Sequence, residues 1–164
     1  MDEQVHHDEQ VQHDERAPDG ATVTREIDLP AGVDDVWEAL TDVERIGAWF
    51  GAPVEWEVRP GGPVHVGAAD DGTAPRRGEI DEVQPGWRLR FRWWPADRHD
   101  EADVTAVTYE LQPDEGGTHL VITEAPIATT AHTMRASALA GPSAWDVRVL
   151  GLWLGCHSGL RCRT

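Results

Sequence analysis

Residues Val23 to Phe50 read V-T-R-E-I-D-L-P-A-G-V-D-D-V-W-E-A-L-T-D-V-E-R-I-G-A-W-F, an order that few folds accommodate. Val23, Ile27 and Leu29 alternate with Thr24, Glu26 and Asp28, the period-two pattern of a half-buried strand, until Pro30 removes a backbone donor and stops it. Val33, Val36, Trp37 and Leu40 then recur at helical spacing. Thr41 followed by Glu44 has capping-box spacing, which predicts that one short helix ends there and a second begins, finishing near Trp49 and Phe50.

Six further strands are predicted, at 53–59, 63–67, 76–83, 87–94, 103–112 and 118–124. The breaks between them are rich in turn formers, among them Pro60-Gly61-Gly62, Pro85-Gly86 and D-E-G-G at 114–117. Such short connections make antiparallel hairpins, because a parallel crossover needs a dozen or more residues. The clearest strand sets Trp87, Leu89, Phe91 and Trp93 inward against Arg88, Arg90 and Arg92 outward. For the small-residue stretch at 127–142 the pattern leaves a loose helix and a loop both open. Beyond it, Ser143 with Asp146 forms a cap, and Trp145, Val149, Leu152, Trp153 and Cys156 line one stripe of a helix of about four turns.

Residues 2–16 repeat D-E-Q-V-H-H, D-E-Q-V-Q-H, D-E-R, with too little apolar surface to offset the entropy of ordering. Seven acids against Arg16 give residues 1–20 a net charge of -6, leaving -10 of the total -16 on the rest. Charge of this sign disfavours nucleic acid and anionic membrane surfaces as partners. All 14 basic residues are Arg, and Lys and Asn are absent, which reads as GC-rich coding bias. Cys156 and Cys162 lack metal-ligand spacing and are expected to be reduced thiols. The opening residues have no signal-peptide pattern, and no run of 18 apolar residues occurs, so a soluble cytoplasmic protein is expected.

Taken in order, V-T-R-E-I-D-L-P, V-W-E-A-L-T-D with W-F eight residues on, R-P-G-G, G-E-I-D-E-V-Q-P-G-W-R-L-R-F-R-W-W, G-T-H-L-V-I-T-E and the Trp opening the last helix resemble the START-like helix-grip superfamily, also called SRPBCC. Within it the chain is most similar to the domain related to the activator of the heat-shock-protein-90 ATPase, a bacterial branch of which is diverse. The last helix departs from the usual Gly-Trp opening, carrying Ala144-Trp145. The resemblance implies an α+β helix-grip fold: a seven-stranded antiparallel sheet wrapped around a long C-terminal helix, with two short helices after the first strand. The domain is expected at 21–158, flanked by a disordered acidic, His-containing tail at 1–20 and a C-terminal tail at 159–164. Ligand carriers, aromatic polyketide cyclases and chaperone-partner modules all occur among such proteins, so fold by itself names no function.

Eight tryptophans, Trp37, Trp49, Trp56, Trp87, Trp93, Trp94, Trp145 and Trp153, either fill the core or line a cavity suited to flat apolar ligands. Trp87, Phe91 and Trp93 on one strand and Trp153 on the helix are expected to face one another across such a cavity, with Trp37 and Trp49 near its rim or floor and Trp145 a further cavity residue. Tyr109 shares a face with Val107 and Leu111, which points its hydroxyl at the same space. Arg25 falls on the apolar side of the first strand, where a guanidinium either clamps a ligand carboxylate, pairs with an inward acid, or is turned outward by a bulge. Glu79 and Asp81 share a face that reads as solvated, as do His65 and His119.

No catalytic triad, nucleophile elbow, phosphate loop or zinc-protease motif is present. His6, His7 and His13 in an unfolded tail would hold a metal poorly, so neither metal nor cofactor is expected. The expected function is therefore non-catalytic binding of a small hydrophobic or aromatic molecule between sheet and C-terminal helix. A cyclase or dehydratase with Arg25, Tyr109 and Glu79 as its polar groups, and a chaperone ATPase partner, are the alternatives.

Overall fold

The computed structural model describes residues 22–97, 100, 103–127, 148–149 and 151–152. Its elements run β1 (Val23–Leu29), α1 (Val33–Thr41), α2 (Val43–Phe50), β2 (Val54–Trp56), β3 (Pro63–Val66), β4 (Arg76–Gln84), β5 (Arg88–Pro95), β6 (Thr105–Asp114) and β7 (Gly117–Pro126). Seven strands form one sheet in the order β1-β7-β6-β5-β4-β3-β2, every neighbouring pair antiparallel. The α+β helix-grip architecture expected from the sequence is thus the one the chain adopts.

The junction between the two short helices forms differently from its sequence pattern. Thr41 Oγ1 donates back to Trp37 O at 2.7 Å, which keeps Thr41 as the last residue of α1. The cap of α2 is Asp42, whose Oδ1 accepts from the backbone amides of Glu44 (3.1 Å) and Arg45 (3.0 Å). A carboxylate there satisfies two orphan donors and also suits the positive end of the helix dipole. Gly51, at φ 70, closes α2 in the left-handed conformation. Arg45 and Glu38, 3.3 Å apart, join the two helices.

Of the predicted strands, 53–59 is the one most shortened. After Trp56 the chain leaves the ladder for a turn in which Arg59 N donates to Glu57 O and Gly62 N to Arg59 O, both at 2.8 Å. Gly62 is required there, since a Cβ would stand 2.0 Å from Glu57 O.

One face of the sheet and one face of each helix enclose the core. Leu29, Val64, Ile80, Leu89, Phe91, Trp93, Val107, Tyr109, Leu111, Leu120 and Ile122 come from strands, and Val36, Leu40, Ile46, Trp49 and Phe50 from helices. Each such side chain, fully buried, contributes about 1.5–3 kcal/mol. Leu152 joins this core, and Gly151 lets its backbone approach α2, where a Cβ would lie 3.1 Å from Trp49 O. Arg148, Val149, Gly151 and Leu152 are helical. Trp145, Trp153, both cysteines, the repeat at 2–16 and the stretch at 128–142 lie outside the described residues.

The opposite face of the sheet carries an ion-pair lattice. Asp81, at a register shift between Ile80 and Glu82, takes Arg92 Nε at 2.7 Å and Arg90 Nε at 3.8 Å. Glu79 pairs with Arg92, while Arg88 lies between Glu82 and Glu110. Such exposed pairs contribute about 0–1 kcal/mol each; Glu79–Arg92 and Glu110–Arg88 lie directly opposite in the register, while the pairs of Asp81 and that of Glu82 with Arg88 run diagonally.

Candidate functional site

Where β2, β3, β5 and β6 meet α2, nine of the described side chains line a small interior void. They are Ile46, Phe50, Val54, Trp56, Val64, Val66, Phe91, Trp93 and Tyr109. Its volume is about 10 Å³, room for on the order of one water. The aromatic walls meet edge to face: Phe91 lies 5.7 Å from both Trp56 and Tyr109 and 5.4 Å from Trp93, and Phe50 lies 6.0 Å from Trp93. These are the offset geometries aromatic rings prefer.

Ionisable groups are buried beside this aromatic space. Glu124, only 1% exposed, continues the inward parity of Leu120 and Ile122 on β7. Its Oε1 accepts from Thr105 Oγ1 at 2.6 Å and from Trp93 Nε1 at 2.9 Å, and the indole also reaches Thr105 Oγ1 at 2.9 Å. Arg76, at the start of β4, stacks its guanidinium carbon 4.9 Å from the Trp93 ring. Arg148 does the same to Phe50 at 4.3 Å. Asp103 is buried as well, and its charge acts on Arg76.

Burial sets the electrostatics. Loss of solvent lowers the pKa of both Arg76 and Arg148, opposed by Glu124 for the first and by Asp71 for the second. Tyr109 is pushed well above the usual phenol range, chiefly by burial, with Arg148 pulling it down and Glu124 pushing it up. A guanidinium and a carboxylate held in an apolar interior cost several kcal/mol each unless paired, so a cluster of this kind is not what packing alone selects.

The structure separates the residues expected at the site. Phe91, Trp93 and Tyr109 converge on the void. Trp49 is buried beneath it, donating its indole N–H to Ala39 O at 2.9 Å, and Trp37 is half-buried against the core without reaching the void wall. Trp87 is a correction: it is 46% exposed, because Gln84 to Trp87 form the β4–β5 turn with Gly86 at φ 72, and inward alternation starts at Leu89. Arg25 keeps the apolar parity of its strand but is half-buried on edge strand β1, its Nη1 donating to Thr24 O, away from the void walls. Glu79 stands on the outer face, paired with Arg92, which removes the proton carrier that an enzymatic alternative needed. Trp145 and Trp153 lie outside the described residues.

Arg76, Thr105, Glu124 and Arg148 were not singled out from the sequence, although Glu124 carried a signal. In L-V-I-T-E its parity matches Leu120 and Ile122, the pattern that drew attention to Arg25. Among the described residues no group of three His, Cys, Asp or Glu side chains is placed to hold a metal ion. No described helix is long and apolar enough to cross a membrane.

Comparison with solved structures gives the same fold. A protein of Mesorhizobium loti, MLL2253, superposes with a TM-score of 0.70 at 23% identity, over 85% of this chain and 98% of that one. DynU16, from the dynemicin biosynthetic locus, gives 0.68 at 26% identity over 84% of this chain, which spans about half (48%) of its length. CalU16 of Micromonospora echinospora gives 0.60 at 23% identity, over 82% of this chain and 74% of its own. No curated protein matches the chain. The profile described as Activator of Hsp90 ATPase homolog 1-like protein matches residues 30–141. With that match over more than half of its length, and with the helix-grip sheet around which the site is built, the chain belongs to the Activator of Hsp90 ATPase homolog 1-like family of the SRPBCC superfamily.

Proposed function

We propose that this protein binds a small, flat, mostly apolar molecule in the interior between sheet and helices, without catalysing a reaction on it. The observation that carries the proposal is the pairing of an aromatic wall, formed by Phe50, Trp56, Phe91, Trp93 and Tyr109, with the buried charges of Arg76, Glu124 and Arg148 at its side. Apolar walls with a few convergent polar groups are the general composition of small-molecule sites. The likeness to DynU16, from a biosynthetic locus, supports a small-molecule cargo over a purely structural role. Because the void holds no more than about one water, a ligand must part the aromatic walls as it enters.

Tyr109 is the sole tyrosine of the chain, so 3-fluorotyrosine labelling places one reporter on the void wall. Titration with a panel of two-ring aromatic compounds should move the single fluorine resonance and raise the melting temperature together. A panel that leaves both unchanged would refute the proposal.

A further inference from the structure

The two buried guanidiniums differ in what opposes their charge. Arg76 is opposed first by Glu124 and then by Asp103, both buried acids. For Arg148 the leading opposing charge is Asp71, on the loop between β3 and β4, ahead of Tyr109 and Glu124. The Asp71 side chain is 40% exposed, whereas that of Arg148 is 2% exposed. Their closest atoms, Arg148 Nη2 and Asp71 Oδ2, are 3.8 Å apart, and the same nitrogen lies 3.5 Å from Thr73 Oγ1. Charge-assisted hydrogen bonds are shorter, about 2.7–2.9 Å. Asp71 is also secured from elsewhere, since its Oδ1 accepts from Thr73 N at 2.8 Å, and hydrogen bonding from Thr73 lowers its pKa more than Arg148 does.

Arg148 adjoins the walls of the aromatic space without itself lining the void. Its guanidinium lies 4.3 Å over Phe50, and its charge acts on Tyr109, two of the void's walls. We propose that Arg148 is the anion contact of this interior, exchanging the rim carboxylate of Asp71 for the carboxylate of a flat aromatic acid. The assignment rests on the small-molecule reading above and names the ligand class. A guanidinium fork matches a carboxylate bidentately, a geometry the present contact to Asp71 lacks. After the exchange Asp71 keeps its exposure to water and its bond to Thr73, so little is lost on the acid's side. Glu124 and Asp103 oppose a second negative charge, with Arg76 offsetting them in part, so the ligand enters as a monoanion. The chain's net charge of -16 works weakly against it, because exposed charges are screened beyond about 8–10 Å.

Two isosteric probes, 2-naphthoate and neutral 2-naphthamide, separate this assignment from the reading it rests on. Calorimetry on the full chain should give the naphthoate an advantage of about tenfold or more, the usual scale of one charge-assisted contact. Arg148→Gln should abolish that preference, bringing the affinities of the two probes to within about twofold of each other. Asp71→Asn removes the competing carboxylate at an exposed position that folding tolerates, and should tighten naphthoate by about threefold or more with naphthamide unchanged. Equal affinity for the two probes in the native protein, or unchanged or weaker naphthoate binding in Asp71→Asn, overturns the anion assignment alone. Absence of binding by both probes, with the Tyr109 fluorine resonance unmoved, overturns the small-molecule reading with it.

Discussion

Glu124→Gln isolates the charge of the buried cluster from its shape. Gln is isosteric and keeps an oxygen where Oε1 now accepts from Trp93 Nε1 and Thr105 Oγ1, so both hydrogen bonds can survive. The negative charge that most strongly opposes Arg76 is lost. Arg76 is itself buried, and removing one partner of a buried charge pair costs about 3–5 kcal/mol because the other is left uncompensated. Asp103 also opposes Arg76, which favours the lower end, about 3 kcal/mol. At about 2–4 °C per kcal/mol for a chain of this size, the variant should melt roughly 6–12 °C lower. Urea unfolding followed by tryptophan fluorescence gives the same quantity, and Arg76→Met with the double variant completes a cycle. The double variant should be more stable than the two single losses add up to, by about 1.5 kcal/mol or more. A Glu124→Gln loss below about 0.5 kcal/mol, or strict additivity in the cycle, would refute the view that these charges are coupled in the interior.

Gly78 faces inward between Arg76 and Ile80, where a Cβ would stand 2.0 Å from the Arg92 carbonyl. Gly78→Ala should therefore cost about 3 kcal/mol in urea unfolding, the upper range of overpacking, while Gly116→Ala, with nothing near its Cβ, should stay within about 0.5 kcal/mol. His119 joins β7 to edge strand β1 through Asp28 at 2.7 Å and Glu26 at 3.7 Å, and its pKa is raised first by the hydrogen bond to Asp28, with Glu26 and Asp114 adding to it. A raised folded-state pKa means that its stabilisation is full below the unfolded value near 6.5 and is lost as pH rises through the folded value. The urea midpoint of the native protein, minus that of His119→Gln, should accordingly fall across that window; a flat or rising difference would contradict the pairing.

How legible the chain was depended on how local the determining physics is. Strand positions from β3 to β7 followed from alternation and turn residues, because each period-two run is bounded by Gly, Pro or Asp within a few residues. Trp87 failed for a local reason as well: apolar character suggested an inward start to the strand, but Pro85-Gly86 needs a further turn residue before the ladder begins. Thr41 lost the cap to Asp42 because two good capping residues stood side by side, and spacing to Glu44 could not choose between them. The polar cluster was out of reach in another way. It joins β4, β5, β6, β7 and the helical segment at Arg148, and parity could show only that Glu124 points inward. Nearness in strand order does not choose the cation that meets it, since Arg25 lies on β1 directly beside β7 whereas Arg76 lies on β4, three strands away.

The charges on the two faces of the sheet answer to different requirements. On the outer face, Arg88, Arg90 and Arg92 pair with acids of adjoining strands, each pair partly in water and individually worth about 0–1 kcal/mol. Replacing any of them costs folding little. On the inner face, apolar residues of matching volume at Arg76 and Glu124 would often be neutral or stabilising by about 1–4 kcal/mol, and the same reasoning applies to Arg148. Charged side chains there work against a purely apolar core, in a space already closed to all but about one water. A core under no requirement but stability has no use for a guanidinium whose leading counter-charge, Asp71, sits at the solvent boundary. An interior that must admit a polar group from outside does, because the cation has to be buried already while its provisional partner remains replaceable.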